Sequence, residues 1–327
     1  MHGDVILVEI DASKWPCAIT RRSATCGIEG DAMIKTRRFG YATFETPDLE
    51  RQIDYYTQIF GLTLTDRDKS RAFLSTPLGQ QAVVLERGEH ARCMKIAFEA
   101  DAANDLTAIA KALSAKNIVV SRKSGLTPGV SDVVTFADPK GTEIEIFTSS
   151  GLAPIDTTPR GFALVKLGHL AFNVADIQKV TAFYCDVLGF RVSDWRADFF
   201  VFLRCGPDHH TVNFASHGSH EKMHHIAFEV KDWAEIQRAC DFLGRHNYHL
   251  IWGPGRHIIG HNIFIYHRNP DGQIMELYCE LDQMKDETLG YFEPRPWHQD
   301  QPQKPKVWPA DTLGSYWGGR APPGFGD

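Results

Sequence analysis

The stretch Phe39–Leu62, FGYATFETPDLERQIDYYTQIFGL, is matched by Leu167–Phe190, LGHLAFNVADIQKVTAFYCDVLGF, 128 residues later. Each reads as a short strand, a turn carrying Asp, an amphipathic helix and a Gly that ends the helix. A second pair repeats the strand-to-helix step at an offset of 130: MKIAFEADAANDLTAIAKAL from Met94 and HHIAFEVKDWAEIQRACDFL from His224. A third pair is VVTFADPKGTEIEIF from Val133 and IFIYHRNPDGQIMELY from Ile263, offset by 131 between the prolines Pro139 and Pro270. Here two strands flank Asp138-Pro139-Lys140-Gly141 or Asn269-Pro270-Asp271-Gly272. Proline fixes φ and glycine permits a left-handed turn, so both segments read as hairpins.

Three matched blocks in one order, at nearly one offset, predict two copies of an α+β unit. The copies span 37–150 and 163–284, and each reads as a βαβββ module repeated within itself. Ser149–Arg160, rich in small residues and Pro, reads as the linker. Residues 1–36 form an N-terminal extension without clear periodicity. Residues 285–327 form a Pro/Trp-rich tail that cannot build a core of its own. Its tryptophans predict packing over the body, with Tyr291–Trp317 as a possible cover for the pocket.

Composition narrows the function classes. The 327 residues are enough for about two domains. A hydrophobic content of 43% and a charged content of 23% suit a soluble globular chain. The formal net charge of −6 argues against a nucleic-acid partner, which favours a basic surface. No apolar run approaches the roughly 20 residues that span a bilayer. The apolar patch Val5–Ile10 is short and contains Glu9, so no signal peptide is expected. Together these predict a cytoplasmic protein with no membrane partner. The seven cysteines (Cys17, Cys26, Cys93, Cys185, Cys205, Cys240, Cys279) are scattered without a CxxC pair, as reduced thiols would be.

The duplication serves as an internal control, because positions needed only for folding should stay alike. AFE, the helix-ending Gly and the Pro-x-Gly turn do so. Three positions carry the chemistry: His169 meets Tyr41, His225 meets Lys95, and Glu276 meets Glu145. Two His and one carboxylate on separate strands form the facial triad used for non-haem Fe(II), which leaves open positions for a chelating substrate and O₂. Zinc accepts the same donors, so the triad alone does not choose the metal. A lone His on a strand is usually structural; the weight comes from three matched positions. His224 adjoins His225, and strand alternation sends the two to opposite faces. His225 is the one that aligns with the repeat.

The run GRHIIGHNIFIYHRNPDGQIMELY, 255–278, then supplies a family. Gly255-x-His257, seven residues, Ile265-Tyr266, two residues, Asn269-Pro270-x-Gly272, three residues and Glu276 resemble the signature closing type I extradiol dioxygenases of the vicinal oxygen chelate superfamily. Arg256-His257 followed by His261 is similar to the catechol 2,3-dioxygenase branch. CGPDHHTVNFA from Cys205 resembles the family strand whose functional His, here His210, precedes the second metal His by fifteen residues. The resemblance covers roughly 37–284. It implies two tandem vicinal-oxygen-chelate domains, each a half-open barrel around a central site.

By that resemblance, His169, His225 and Glu276 hold Fe(2+). His210 acts as acid/base beside O₂, Tyr266 hydrogen-bonds the bound substrate oxygen, and His257 is a substrate-side partner. The implied reaction is extradiol (meta) cleavage of a catechol-type diol by O₂, giving a 2-hydroxymuconic-semialdehyde-type product. A homo-oligomer is implied, often a tetramer in similar proteins. His209 adjoins His210, and only one of the two is expected to face inward. Arg204, Arg256 and Arg295 are candidates to meet a substrate carboxylate, though each is more often structural. His217, His220, His246, His249 and His298 fit no pattern. Competing readings are a glyoxalase-like isomerase, a hydroquinone-cleaving relative and a metal-free drug-binding module. Tyr41 and Lys95 in the first copy speak against the isomerase, whose ligands come from both halves.

Overall fold

The computed structural model describes residues 32–158, 160–217 and 222–326. Most of the N-terminal extension, with Cys17 and Cys26, lies outside the described residues, as does His220. Four βαβββ modules follow in order. The first holds β1 (Thr36–Thr46), α1 (Leu49–Asp54), a π-helical turn (Tyr55–Ile59), β2 (Thr63–Arg67), β3 (Arg71–Ser75) and β4 (Gln81–Arg87). The second holds β5 (Arg92–Ala100), α2 (Leu106–Ala115), β6 (Ser121–Thr127), β7 (Val130–Ala137) and β8 (Glu143–Phe147). The third holds β9 (Leu164–Val174), α3 (Ile177–Asp186), β10 (Arg191–Arg196), β11 (Phe200–Arg204) and β12 (Val212–Ser216). The fourth holds β13 (Lys222–Val230), α4 (Trp233–Arg245), β14 (Trp252–Arg256), β15 (Ile263–Arg268) and β16 (Ile274–Cys279).

Each helix starts on an aspartate. Asp48, Asp105, Asp176 and Asp232 each accept a hydrogen bond from a backbone N–H in the first turn of their helix. That satisfies donors the helix itself leaves free. The two Pro-x-Gly hairpins close as the composition requires: Gly141 and Gly272 have φ of +85° and +78°, which glycine alone adopts without a Cβ penalty.

Modules pair through their first strands. β1 and β5 run antiparallel at the centre of a sheet ordered β2-β3-β4-β1-β5-β8-β7-β6. β9 and β13 do the same in the sheet β14-β15-β16-β13-β9-β12-β11-β10, which one further strand extends at the β10 edge. The last strand, β19 (Lys306–Trp308), comes from the C-terminal tail and adds in parallel to the edge strand β10. A small hairpin of β17 (Met284–Asp286) and β18 (Tyr291–Phe292) precedes it. Among the described residues no helix is long and apolar enough to cross a membrane.

Alternation along the strands gives each sheet two unlike faces. The outer faces and the helices of both copies share one apolar core, in which Phe60 meets Phe228 at 4.8 Å and Phe98 meets Phe190 at 5.2 Å. The inner face of the first copy is filled by Tyr41, Phe73, Val84, Val130, Val133 and Phe147. The inner face of the second copy is where the histidines gather.

Buried polar contacts cross the shared core: Tyr184 donates to Asp138 at 3.0 Å, and Tyr55 meets His267. The Tyr55 hydroxyl and His267 Nε2 share a hydrogen bond of 2.7 Å, and both residues are buried. Burial holds the His267 imidazole down at about 3. A folded-state value below the unfolded one means that the unfolded chain binds the proton first. This part of the stability is therefore complete above about pH 6.5 and lost as pH falls towards 3. Calorimetric melts between pH 7 and pH 4 are expected to show His267→Gln losing less Tm than the parent, by on the order of 2–4 °C per pH unit. Parallel curves would mean that His267 takes up its proton without unfolding.

Candidate metal centre and active site

The site is built on register. Ala227 of β13 stands opposite His169 of β9 on one side and Glu276 of β16 on the other. His225 precedes Ala227 by two residues and so shares its face. The Nε2 atoms of His169 and His225 lie 3.2 Å apart, and each is 3.1 Å from the same Glu276 oxygen, Oε2. All three residues are buried. Three atoms spaced this way suit one ion about 2.1 Å from each. His169 Nδ1 is buried with no partner, so that ring is held from its Nε2 side.

Electrostatics prepare the same atoms for a cation. Burial pushes His169 down from its ordinary value, against the opposing pull of Glu276. Burial would raise Glu276, but His169 and His225 outweigh it and hold the carboxyl well below the usual range. Neutral imidazoles and an ionised carboxylate are the state a metal needs. Asn262 donates to the other Glu276 oxygen, Oε1, at 3.0 Å, which fixes the carboxylate plane.

His210 lies beside this set, its ring 4.2 Å from that of His169 and edge-on to it. Burial, then the neighbouring imidazoles, hold His210 well below its ordinary value. His257 and Tyr266 form a pair on the other side. His257 donates from Nδ1 to the Gly314 carbonyl at 2.7 Å, so its Nε2 accepts from the Tyr266 hydroxyl at 3.0 Å. The Tyr266 ring stands 5.5 Å from that of His225. Burial lowers His257 to about 4 and raises Tyr266 well above the phenol range. All six residues singled out from the sequence thus meet in one half-barrel.

Two expectations about neighbours differ. His224 does not turn away from His225: a bulge between Met223 and His225 breaks the alternation, and the two Nδ1 atoms sit 2.6 Å apart. His209 is as buried as His210, and its Nδ1 is 2.9 Å from the Nδ1 of His210, because the pair lies in the turn before β12 rather than within a strand.

The first copy shows what the same frame does without the ligands. The Tyr41 hydroxyl donates to Glu145 at 2.6 Å, and Thr127 donates to Tyr41. Burial raises both groups, keeping the phenol protonated. Lys95 turns to Glu86 at 3.4 Å.

The tail packs over the body as its tryptophans predict, but its individual contacts around the site were not legible in the sequence. His298 and His261 each hold one oxygen of Asp282, at 2.8 and 2.7 Å. At those distances each imidazole is hydrogen-bonded to its own carboxylate oxygen, and the three side chains form a second buried cluster whose donor atoms lie within 4.8 Å of one another. His261 has φ of +55°, and Arg256 also holds its carbonyl. The 257–262 loop that presents His257 and Asn262 is thereby pinned to the tail. Nearer the C-terminus, Phe325 offers its carbonyl to His224 and its ring to Tyr266, 5.0 Å away. No signal in the sequence marks these contacts, since the tail has no copy to align with and several of its contacts are made by backbone carbonyls.

The model of the Glyoxalase/Bleomycin resistance protein/Dioxygenase superfamily matches residues 38–146 and 166–277. The chain belongs to this superfamily. A 2,2',3-trihydroxybiphenyl dioxygenase of Sphingomonas paucimobilis is 28% identical, covering 84% of this chain and 97% of its own. An iron-dependent extradiol dioxygenase of Rhodococcus jostii is 25% identical, covering 78% and 93%. Among solved structures, a Mn(II)-bound glyoxalase of Novosphingobium aromaticivorans superposes with a TM-score of 0.76 at 25% identity, covering 88% and 93%. The tandem half-barrels expected from the sequence are those of the superfamily.

Within this superfamily fold, Ala227 is the floor between His169 and Glu276 and has no exposed surface. Opposed side chains on one sheet face stand about 5 Å apart, so extra methyls at 227 enter the gap between His169 and Glu276, where an ion would sit. Ala227→Val is expected to keep the circular dichroism of the parent while bound metal, measured by plasma mass spectrometry, falls at least tenfold. Unchanged metal content would mean that the three ligands close around the ion elsewhere.

Proposed function

We propose that the chain is an extradiol dioxygenase that opens a catechol-type ring next to its two hydroxylated carbons, with O₂ as oxidant and one Fe(II) on His169, His225 and Glu276. The observation that carries this reading is the meeting of those three ligands with His210 on one side and the His257–Tyr266 pair on the other. The donor set fits iron: two neutral imidazoles and one carboxylate on one face. When bound, Fe(II) would supply Lewis-acidic, redox-active chemistry towards an electron-rich diolate and O₂.

The residues supply the proton chemistry. Tyr266, whose own proton is directed to His257, offers its oxygen lone pairs to a substrate hydroxyl. As that hydroxyl gives up its proton to Tyr266 Oη, the phenol proton passes to His257 Nε2, and the Gly314 carbonyl steadies the imidazolium. His210, neutral through burial, serves as base and then acid on the opposite side. The tail lies over the edge of this site through Gly314, Phe325 and the Asn173–Gly326 contact, so it shields the centre from water as a fixed cover.

The walls favour a ring without a charged substituent. Arg204 is taken by Glu287, Ser193 and the Val192 carbonyl. Arg256 is held by Glu280 and the His261 carbonyl and stacks on Trp297. Arg295 pairs with Glu293. Arg204 and Arg256 are thereby engaged within the fold, and of the three candidates only Arg295 keeps a buried guanidinium nitrogen, Nε, without a partner. The surface beside His210 is instead Phe202, packed with Phe200, Ile259 and Trp308. In the first half, Tyr41 and Glu145 satisfy each other, which speaks against an isomerase drawing ligands from both copies.

The test is anaerobic loading with Fe(II), then O₂ with a panel of alkyl-, aryl- and carboxyl-substituted catechols. A yellow ring-opened product is expected, with kcat/KM at least about tenfold higher for uncharged catechols, the scale of leaving one carboxylate unpaired in an apolar site. No product from any catechol with iron bound would overturn the reaction class. Product after Mn(II) loading but not Fe(II) would change the metal. Truncation after Leu313 removes the carbonyls that hold His257 and His224. It should raise KM several-fold with iron retained, and unchanged kinetics would show that the tail is not a cover.

A further inference from the structure

His209 and Asp194 have no assigned part in the site. Both are buried in the second half-barrel, at 0% and 1% exposure. Asp194 lies on β10, at the bulge that follows Val192. Its Oδ2 is 2.9 Å from His209 Nε2, and its Oδ1 accepts from the backbone N–H of Lys306, on the tail strand β19, at 2.7 Å. On its far side His209 meets His210, Nδ1 to Nδ1, at 2.9 Å. The His209 backbone N–H is separately fixed by the Asp282 carbonyl at 2.8 Å. Phe202 and Phe292 pack on the His209 ring, at 5.5 and 5.1 Å, so it has little freedom to turn.

This chain has only one consistent proton arrangement when both imidazoles are neutral. A carboxylate only accepts, so His209 must donate from Nε2. A neutral imidazole has one N–H, so His209 Nδ1 is a lone pair. The facing Nδ1 of His210 must then carry hydrogen, which leaves the lone pair of His210 on Nε2, the ring nitrogen outside the chain. We infer that Asp194 and His209 are positioning residues for His210. They lock it in the tautomer whose Nε2 can take a proton, and the tail strand locks them through Lys306. This rests on the reading of His210 as the acid/base group. Neither residue touches substrate.

Asp194→Asn tests the inference, and Lys306 makes the outcome definite. The Lys306 N–H needs an acceptor, so the asparagine carbonyl takes the Oδ1 place and its NH₂ faces His209 Nε2. A donor there reverses the chain: His209 carries hydrogen on Nδ1, and His210 is left with hydrogen on Nε2. Ring ¹⁵N chemical shifts of histidine in the metal-free protein read this directly. The parent should show His209 as Nε2–H and His210 as Nδ1–H, and Asp194→Asn should show both inverted. In the Fe(II)-loaded protein the variant should keep its iron and a KM within about twofold, while kcat falls by about 10² or more, as expected of a base held in the wrong tautomer.

Parent-like tautomers, or parent-like kcat with iron bound, would overturn the inference. If Asp194→Asn does not fold, His209→Phe, which suits the aromatic pocket, carries the same expectation for kcat against KM and the same power to overturn it. His210→Phe separates the two readings. If it keeps full kcat, the acid/base assignment fails and this inference with it. If it loses kcat while Asp194→Asn and His209→Phe do not, only the positioning role fails.

Discussion

The Nε2 atoms of two imidazoles and a carboxylate oxygen face one another across 3.1–3.2 Å in a buried site. Left alone, that arrangement is unfavourable, because it sets electron-rich atoms together where water cannot separate them. A cation at their centre turns the same geometry into a strong attraction. Much of the second half-barrel can be understood as the frame that keeps these atoms from relaxing apart. The register of β9, β13 and β16 fixes their origins. Ala227 leaves the gap between them. Asn262 holds the carboxylate from behind.

Around that centre the structure repeatedly decides which nitrogen of a histidine carries hydrogen. The Gly314 carbonyl does so for His257, Asp194 for His209 and through it His210, and Asp282 for His261 and His298. A histidine free to change tautomer is a poorer acid or base, since part of its population offers the wrong atom. Several of these anchors meet the C-terminal tail. The tail is therefore part of the chemistry's geometry, although it holds no ligand and forms only short strands.

The repeat made the frame legible. Matched blocks in one order located all four modules, and the two mismatches Tyr41/His169 and Lys95/His225, with the shared Glu145/Glu276, pointed to the centre. What stayed hidden shares a physical character. Gly314 and Phe325 act through backbone carbonyls, which every residue has. Asp194 and His298 act from segments whose position depends on how β19 docks on β10. His209 and His224 were misjudged because strand alternation was applied where a turn and a bulge interrupt it. Pattern reading succeeds where side chains follow the period of an element, and fails where tertiary docking overrides it.

The two inner faces then explain why a duplicated chain would hold one centre. In the first copy Tyr41 reaches across and donates to Glu145, so the equivalent carboxylate is satisfied by a neutral partner and the cavity closes with Phe73, Val84 and Phe147. A buried carboxylate there requires no cation. The second copy replaces the tyrosine with a shorter ring that cannot close the gap and must share the carboxylate with a second histidine. The gap is the functional element, and the first copy contributes by being full. Its outer face, packed through Phe60 and Phe98 against the second copy, supplies the rigid backing that a convergent ligand set needs.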